Sequence, residues 1–213
     1  MPRSLPRLDL KFGEDIRAAQ SLVARVEVAM TSARLRDPHR IRLSEVELAY
    51  ELSYLRVFTA WEVLLEEILL RKMCGYATAV GQEPLQPGRR YYASISAAET
   101  ELYNGRSYLL WHDPVKVIDR ANRYFLNSHY MQVIASLQAR LTWYGAIRHR
   151  IAHAQTDAAR KFDQVTMSMA GRRYRASRPG RFFRDIRPAS NPPERWLNIV
   201  CDELESLAVQ LCA

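Results

Sequence analysis

The chain has little of what marks secreted scaffolds, fibres and membrane spans. Its 213 residues hold only three cysteines, Cys74, Cys201 and Cys212, and no CxxC pair. So sparse and odd a set fits reduced thiols better than a disulfide framework and argues against a structural zinc site. Only eight residues are glycine, and apolar residues make up 48% of the chain, which excludes fibrous and disordered compositions. No apolar run reaches the roughly 18 uncharged residues of a membrane span, because Glu62, Glu66 and Glu67 interrupt the most apolar segment. The first residues, Met1-Pro2-Arg3-Ser4-Leu5-Pro6-Arg7, carry positive charge with no continuous apolar stretch behind it, so a cleaved secretion signal is not expected. There is no internal repeat and no low-complexity tract. The expectation is a soluble, cytoplasmic, mostly helical protein, with residues 1–213 forming a single domain.

What the chain does have is localised positive charge. Between Arg160 and Arg187 nine basic residues stand against Asp163 and Asp185, a net +7 out of the +8 of the whole chain. A cationic segment of this size favours a polyanionic partner through counterion release, with binding that weakens steeply as salt rises.

Helical periodicity dominates the remainder. A first helix is expected from about Glu14 to Arg36, ended by Asp37-Pro38. Ser44 and Glu47 resemble a capping box opening a second helix, whose apolar stripe reads Leu48, Leu52, Leu55, Phe58, Trp61, Leu65, Ile68 and Leu69 and which stops near Gly75. A loop is expected over 81–88 and a short helix within 91–103. Asp113 caps a further helix with Pro114 at its first position, and Tyr124 and Phe125 continue its face. After a bend at 127–129, one helix carries Val133, Leu137, Leu141, Tyr144 and Ile151. Strict alternation over 165–169, then Gly171 and the turn signal Pro179-Gly180, predict a small basic hairpin or β-rich excursion. Residues 160–193 thus read as a basic insertion and 194–213 as the final core helix.

Near the end of the long helical pattern stands Arg148-His149-Arg150-Ile151-Ala152-His153. It combines a permanent cation with imidazoles able to exchange a proton near neutral pH, which suits chemistry on a phosphodiester. His149 and His153 are one helical turn apart, whereas Arg148 and His153 diverge by ~140° around a straight helix. Two copies related by a twofold axis would bring both arginines and both His153 rings into one cleft. There one imidazole could take the proton of a ribose 2′-OH while the other protonates the leaving 5′-oxygen, with arginine stabilising the phosphorane. The nucleophile lies in the substrate, so neither metal nor cofactor is called for.

The stretch from Arg148 to His153 resembles the signature of HEPN-domain ribonucleases: Arg, a polar residue that is often Asn, two variable residues, commonly Ala, then His, on a late helix of a helical bundle. His149 stands where Asn is commonest. The long helix bearing Phe58, Trp61, Glu62 and Glu66 is similar to the family's context. The resemblance implies an all-α, HEPN-like antiparallel bundle and a dimeric, metal-independent endoribonuclease of toxin-antitoxin or antiphage systems, with Arg148 and His153 catalytic and His149 auxiliary.

Rival readings attach to the same residues. His149 and His153 have a zinc-ligand spacing, but Arg150 occupies the place of a zincin's glutamate base and, with Arg148, would repel a cation. Alternatively Arg148, His149 and Arg150 form a solvated helix face and His153 caps its C-terminal turn. His112 and Asp113 read more readily as a cap and its neighbour than as a site, and Glu62 and Glu66 as helix-edge residues. In the basic segment, Arg172, Arg173, Arg175, Arg181 and Arg184, together with Arg150, are candidates for binding RNA, with Tyr174, Phe182 and Phe183 stacking on bases. Equally, that segment suits an acidic protein partner such as an antitoxin. The alternative to an enzyme is a catalytically silent nucleic-acid-binding or regulatory module working through residues 160–187.

Overall fold

The structure, a computed structural model, describes residues 2–32, 41–188 and 190–213. Among them the regular structure is helical, in an all-α bundle: α1 (Leu8–Ser32), α2 (Leu43–Met73), α3 (Ile95–Tyr103), α4 (Pro114–Ala121), α5 (His129–Ser136), α6 (Gln138–Ala152), α7 (Thr156–Ala170), α8 (Pro179–Arg184) and α9 (Trp196–Cys212). A 3-10 turn, Arg175–Ser177, precedes α8. No described helix is long and apolar enough to cross a membrane.

The chain divides into two compact units. One gathers the residues up to Phe12, Ala60–Thr142 and Glu205–Ala213, and the other gathers Gly13–Thr59 and Trp143–Leu204. Helices α1, α2, α6 and α9 contribute residues to both.

In the first unit, Phe12 packs near Trp61 with ring centroids 5.9 Å apart. Glu83, in the loop expected over 81–88, does two things. It pairs at 2.6 Å with Lys72, whose side chain is fully buried, and its oxygens accept the first-turn amides of α5, His129 N–H at 2.9 Å and Tyr130 N–H at 3.2 Å. A buried ammonium is tolerable only with such a partner, and the carboxylate also suits the positive end of the helix. Ser128 caps the same helix through the Met131 amide, so the expected bend at 127–129 is a helix start. Asp113 caps α4 by accepting from Val115 and Lys116, with Pro114 in the first turn as anticipated. That helix ends at Ala121, and Tyr124 and Phe125 are buried beyond it rather than on it.

In the second unit the core is aromatic. Tyr54 stacks on Phe183 at 4.2 Å and Phe182 on Trp196 at 5.3 Å, while Phe162 and Tyr174 meet Phe182 edge-on. Such pairs add ~0.5–1.5 kcal/mol beyond the area they bury. The Tyr54 hydroxyl donates to the Tyr144 carbonyl at 2.7 Å, which satisfies a polar group placed in that core.

Several expectations are corrected. The first helix starts at Leu8, six residues before the expected position, and the expected break at 37–38 lies outside the described residues. The cap of α2 is Arg42 with Glu45, whose carboxylate accepts the Arg42 amide at 2.6 Å, not Ser44 with Glu47. The stripe of α2 is rotated at its start. Leu48 and Leu52 are about half exposed, and Tyr50 and Tyr54 are buried in their place, because each tyrosine buries a larger ring and finds an acceptor for its hydroxyl. The helix expected to run through Leu137 is broken there, at φ −123° and ψ 25°, into α5 and α6.

The largest correction concerns the basic segment. No β-hairpin occurs among the described residues, and positions 165–169 lie within α7. Over the wider window Ala158, Phe162, Val165 and Thr166 form the buried face at helical spacing, and Gly171 closes the helix in the left-handed conformation. Five alternating residues are too short a run to overrule that period. Pro179-Gly180 likewise opens α8 instead of turning a hairpin. Gly180 lies so close to α2 that an added Cβ would collide with the Glu47 carbonyl, and its N–H donates to Glu51 at 2.9 Å.

Candidate functional site

The motif residues lie at the C-terminal end of α6, in the second unit. Tyr144 and Ile147 anchor that helix by complete burial, and the Tyr144 hydroxyl donates to Glu203. The next turn then carries Arg148, His149 and Arg150 at the half-buried margin, and His153 follows the last helical residue, exposed. The His153 amide still donates to the His149 carbonyl at 3.0 Å. This continuation of the helical pattern brings the two imidazoles together, with ring centroids 4.5 Å apart and planes at 47°. The result is an accessible imidazole backed by a second one at the C-terminal end of α6.

Arg150 has a structural task in this arrangement. Its Nη1 donates to the His153 carbonyl at 3.2 Å and its Nε to the Ser177 carbonyl at 3.1 Å, while the Ser177 hydroxyl donates to Asp163 at 2.8 Å. The guanidinium therefore ties the end of α6 to the turn before α8 and satisfies two carbonyls. Beside it is a hollow of about 200 Å³ lined by Glu51, Arg150, Ile151, Ala154, Ser177 and Arg178. Burial raises the carboxyl pKa of Glu51 above its ordinary value, and Glu47 acts the same way; the amide of Gly180, Arg150 and Arg178 oppose the rise. Sequence reasoning passed over Glu51. Its signal was the spacing to Glu47, which pairs with Arg178 at 3.3 Å and shares the same helix edge.

The basic segment separates into engaged and outward-facing cations. Arg172 bonds to both Asp185 and Tyr174, and Arg184 donates to Glu27 at 2.7 Å. Arg160 and Lys161 both pair with Asp157 on the surface of α7. Arg173, Arg175 and Arg181 are exposed. The aromatic residues expected to stack on bases are unavailable for it: Phe182 and Phe183 are fully buried and Tyr174 is 5% exposed. In α8 the two phenylalanines take the core-facing positions, while Arg181 and Arg184, which flank them, are exposed and half-buried respectively.

Elsewhere, His112 lies 3.4 Å from Glu62 and Glu66 accepts the Tyr103 hydroxyl at 2.5 Å, both within the first unit. Among the described residues no three His, Cys, Asp or Glu side chains converge as metal ligands would. The chain matches no family model, no curated protein and no solved structure.

Proposed function

We propose that the protein is an endoribonuclease that cleaves RNA by internal 2′-OH attack, through a site composed of residues from two copies of the chain. The observation that supports this most is the paired imidazoles at the exposed end of α6, with Arg148 one turn earlier than Ala152 on the same helix. His153 of one copy removes the 2′-OH proton as that oxygen attacks phosphorus, and His153 of the other protonates the 5′-oxygen as its bond to phosphorus breaks. The products are a 2′,3′-cyclic phosphate and a 5′-hydroxyl. Arg148 stabilises the charge that accumulates on the phosphorane oxygens, and His149 positions the His153 ring. The outward cations Arg173, Arg175 and Arg181 hold neighbouring phosphates, with the salt dependence such contacts bring.

The chemistry of the ends tests the reaction class. RNA cleaved in the presence of EDTA should carry 2′,3′-cyclic phosphate and 5′-hydroxyl termini, and a 2′-deoxy substitution at the cleaved position should block the cut. Termini bearing 5′-phosphate, or cleavage that survives the 2′-deoxy substitution, would contradict the mechanism. The exposed arginines also favour a second reading, a catalytically silent module that binds nucleic acid, which predicts salt-sensitive RNA binding with no cleavage at all.

A further inference from the structure

A second cluster of cations lies in the first unit, among residues the ribonuclease reading does not use. The end of α3, the loop after it and α4 enclose a hollow of about 430 Å³, within the ~300–1,000 Å³ range of small-molecule pockets. Arg89, Arg106, Lys116, Arg120 and Arg123 line it, against only Glu101 and Asp119. Glu101 is already met by Arg89 at 3.4 Å.

Arg120 is the informative member. It is 8% exposed, its guanidinium lies over the Trp111 ring at 4.3 Å, and its buried Nη1 has no hydrogen-bond partner among the described residues. Arginine stays charged in proteins, and a buried charge without a hydrogen-bonding counterion is costly. Burial and the nearby Arg123 both work against that charge, and Tyr130, Tyr103 and Glu66 compensate in part. The other walls include Tyr103 and the buried Tyr124, which already carries the Arg89 guanidinium at 4.9 Å.

We propose that this hollow binds a small phosphorylated ligand with an aromatic ring, a nucleoside monophosphate, its phosphate held by Arg120 with Lys116 and Arg123 and its base against Tyr103 and the exposed Tyr108. A carboxylate would answer one arginine. A phosphate monoester brings about −1.5 to −2 charges and three acceptor oxygens, which match several cations at once. The size of the hollow exceeds what bare phosphate needs. Nothing in the linear charge pattern reveals the site, since its cations are scattered over 89–123 among Glu99, Glu101, Asp113 and Asp119.

Calorimetric titration of the full chain with the four nucleoside 5′-monophosphates, inorganic phosphate and adenosine tests the proposal. At least one monophosphate should saturate in the submillimolar range, about tenfold or more tighter than either inorganic phosphate or adenosine. The Lys116→Ala/Arg123→Ala double variant, altered only at exposed positions, should lose about tenfold or more in affinity with an unchanged circular dichroism spectrum. Arg120→Met should abolish binding while Arg120→Lys recovers part of it. Absence of saturable binding by every monophosphate at millimolar concentration would overturn the proposal, as would unchanged affinity in the double variant. So would dependence on Lys116 and Arg123 seen only with RNA oligomers, which would assign the hollow to a polymer.

Discussion

Glu27 shows how a single side chain can organise a unit of the fold. Its carboxylate accepts from Arg184 at 2.7 Å and from Tyr50 at 3.2 Å, and lies 3.4 Å from Arg195. Burial opposes its ionisation, but the hydrogen bond from Arg184 and the charges of Arg195 and Arg184 prevail, so its pKa falls below the ordinary 4.5. Burial, with Glu27 nearby, pushes the Tyr50 phenol up to about 12. A carboxyl with a lowered folded-state pKa contributes stability that is present above its unfolded value and is lost as pH falls through the folded one. Glu27→Gln should therefore cost about 1.5–3 kcal/mol near neutral pH, and the gap in melting temperature from wild type should narrow as the pH drops below that of ordinary carboxylates. An equal gap at all pH values would show that the charge is not what matters. The sequence displayed Arg184 only as part of a positive run. A cation 157 positions away from its carboxylate gives no local sign of being engaged, so the intramolecular partners of Arg184 and Arg172 were not legible in the sequence.

Elements were legible where a long period or a chemically distinctive start fixed them, and illegible where a short window spoke for itself. Asp113-Pro114 announced α4 because a side-chain acceptor followed by a residue lacking N–H suits a helix start when a helical face follows it. The alternation at 165–169 announced a strand, yet the pairs of Asp157 with Arg160 and Lys161 and the buried face from Ala158 to Thr166 show the helix that contains it. Leu137 gave no warning of the break between α5 and α6, since leucine is an excellent helix former and only its backbone angles reveal the interruption. Gly180 was legible as special but for the wrong reason. It serves close approach to α2, not a hairpin. Gly180→Ala should destabilise the protein by about 1–3 kcal/mol in denaturant titrations, because the methyl would have to displace the backbone at Glu47. A neutral substitution would mean that α8 can move off α2 freely.

For the molecule as a whole, a mostly helical protein followed from composition and periodicity, and the aromatic core of the second unit did not. Tyr174, Phe182 and Phe183 lie in a charged stretch, and the burial of the two phenylalanines depends on which side of a six-residue helix faces inward. The motif at 148–153 was visible in its letters, and its placement at the end of α6 adds the paired imidazoles, tilted against each other, and the structural role of Arg150. The divergence of Arg148 from His153 around one helix is what motivates the proposed two-copy site. Light scattering should report a dimer at micromolar concentration, and a fully active monomer would contradict the shared site. The measurement closest to the central claim is the single-turnover rate of RNA cleavage in EDTA by wild type and His153→Ala. The exposed side chain can be removed without touching the core, and loss of a positioned acid-base group should lower the rate by ~10² or more. Equal rates for the two proteins, or RNA binding by wild type without any cleavage, would contradict the assignment.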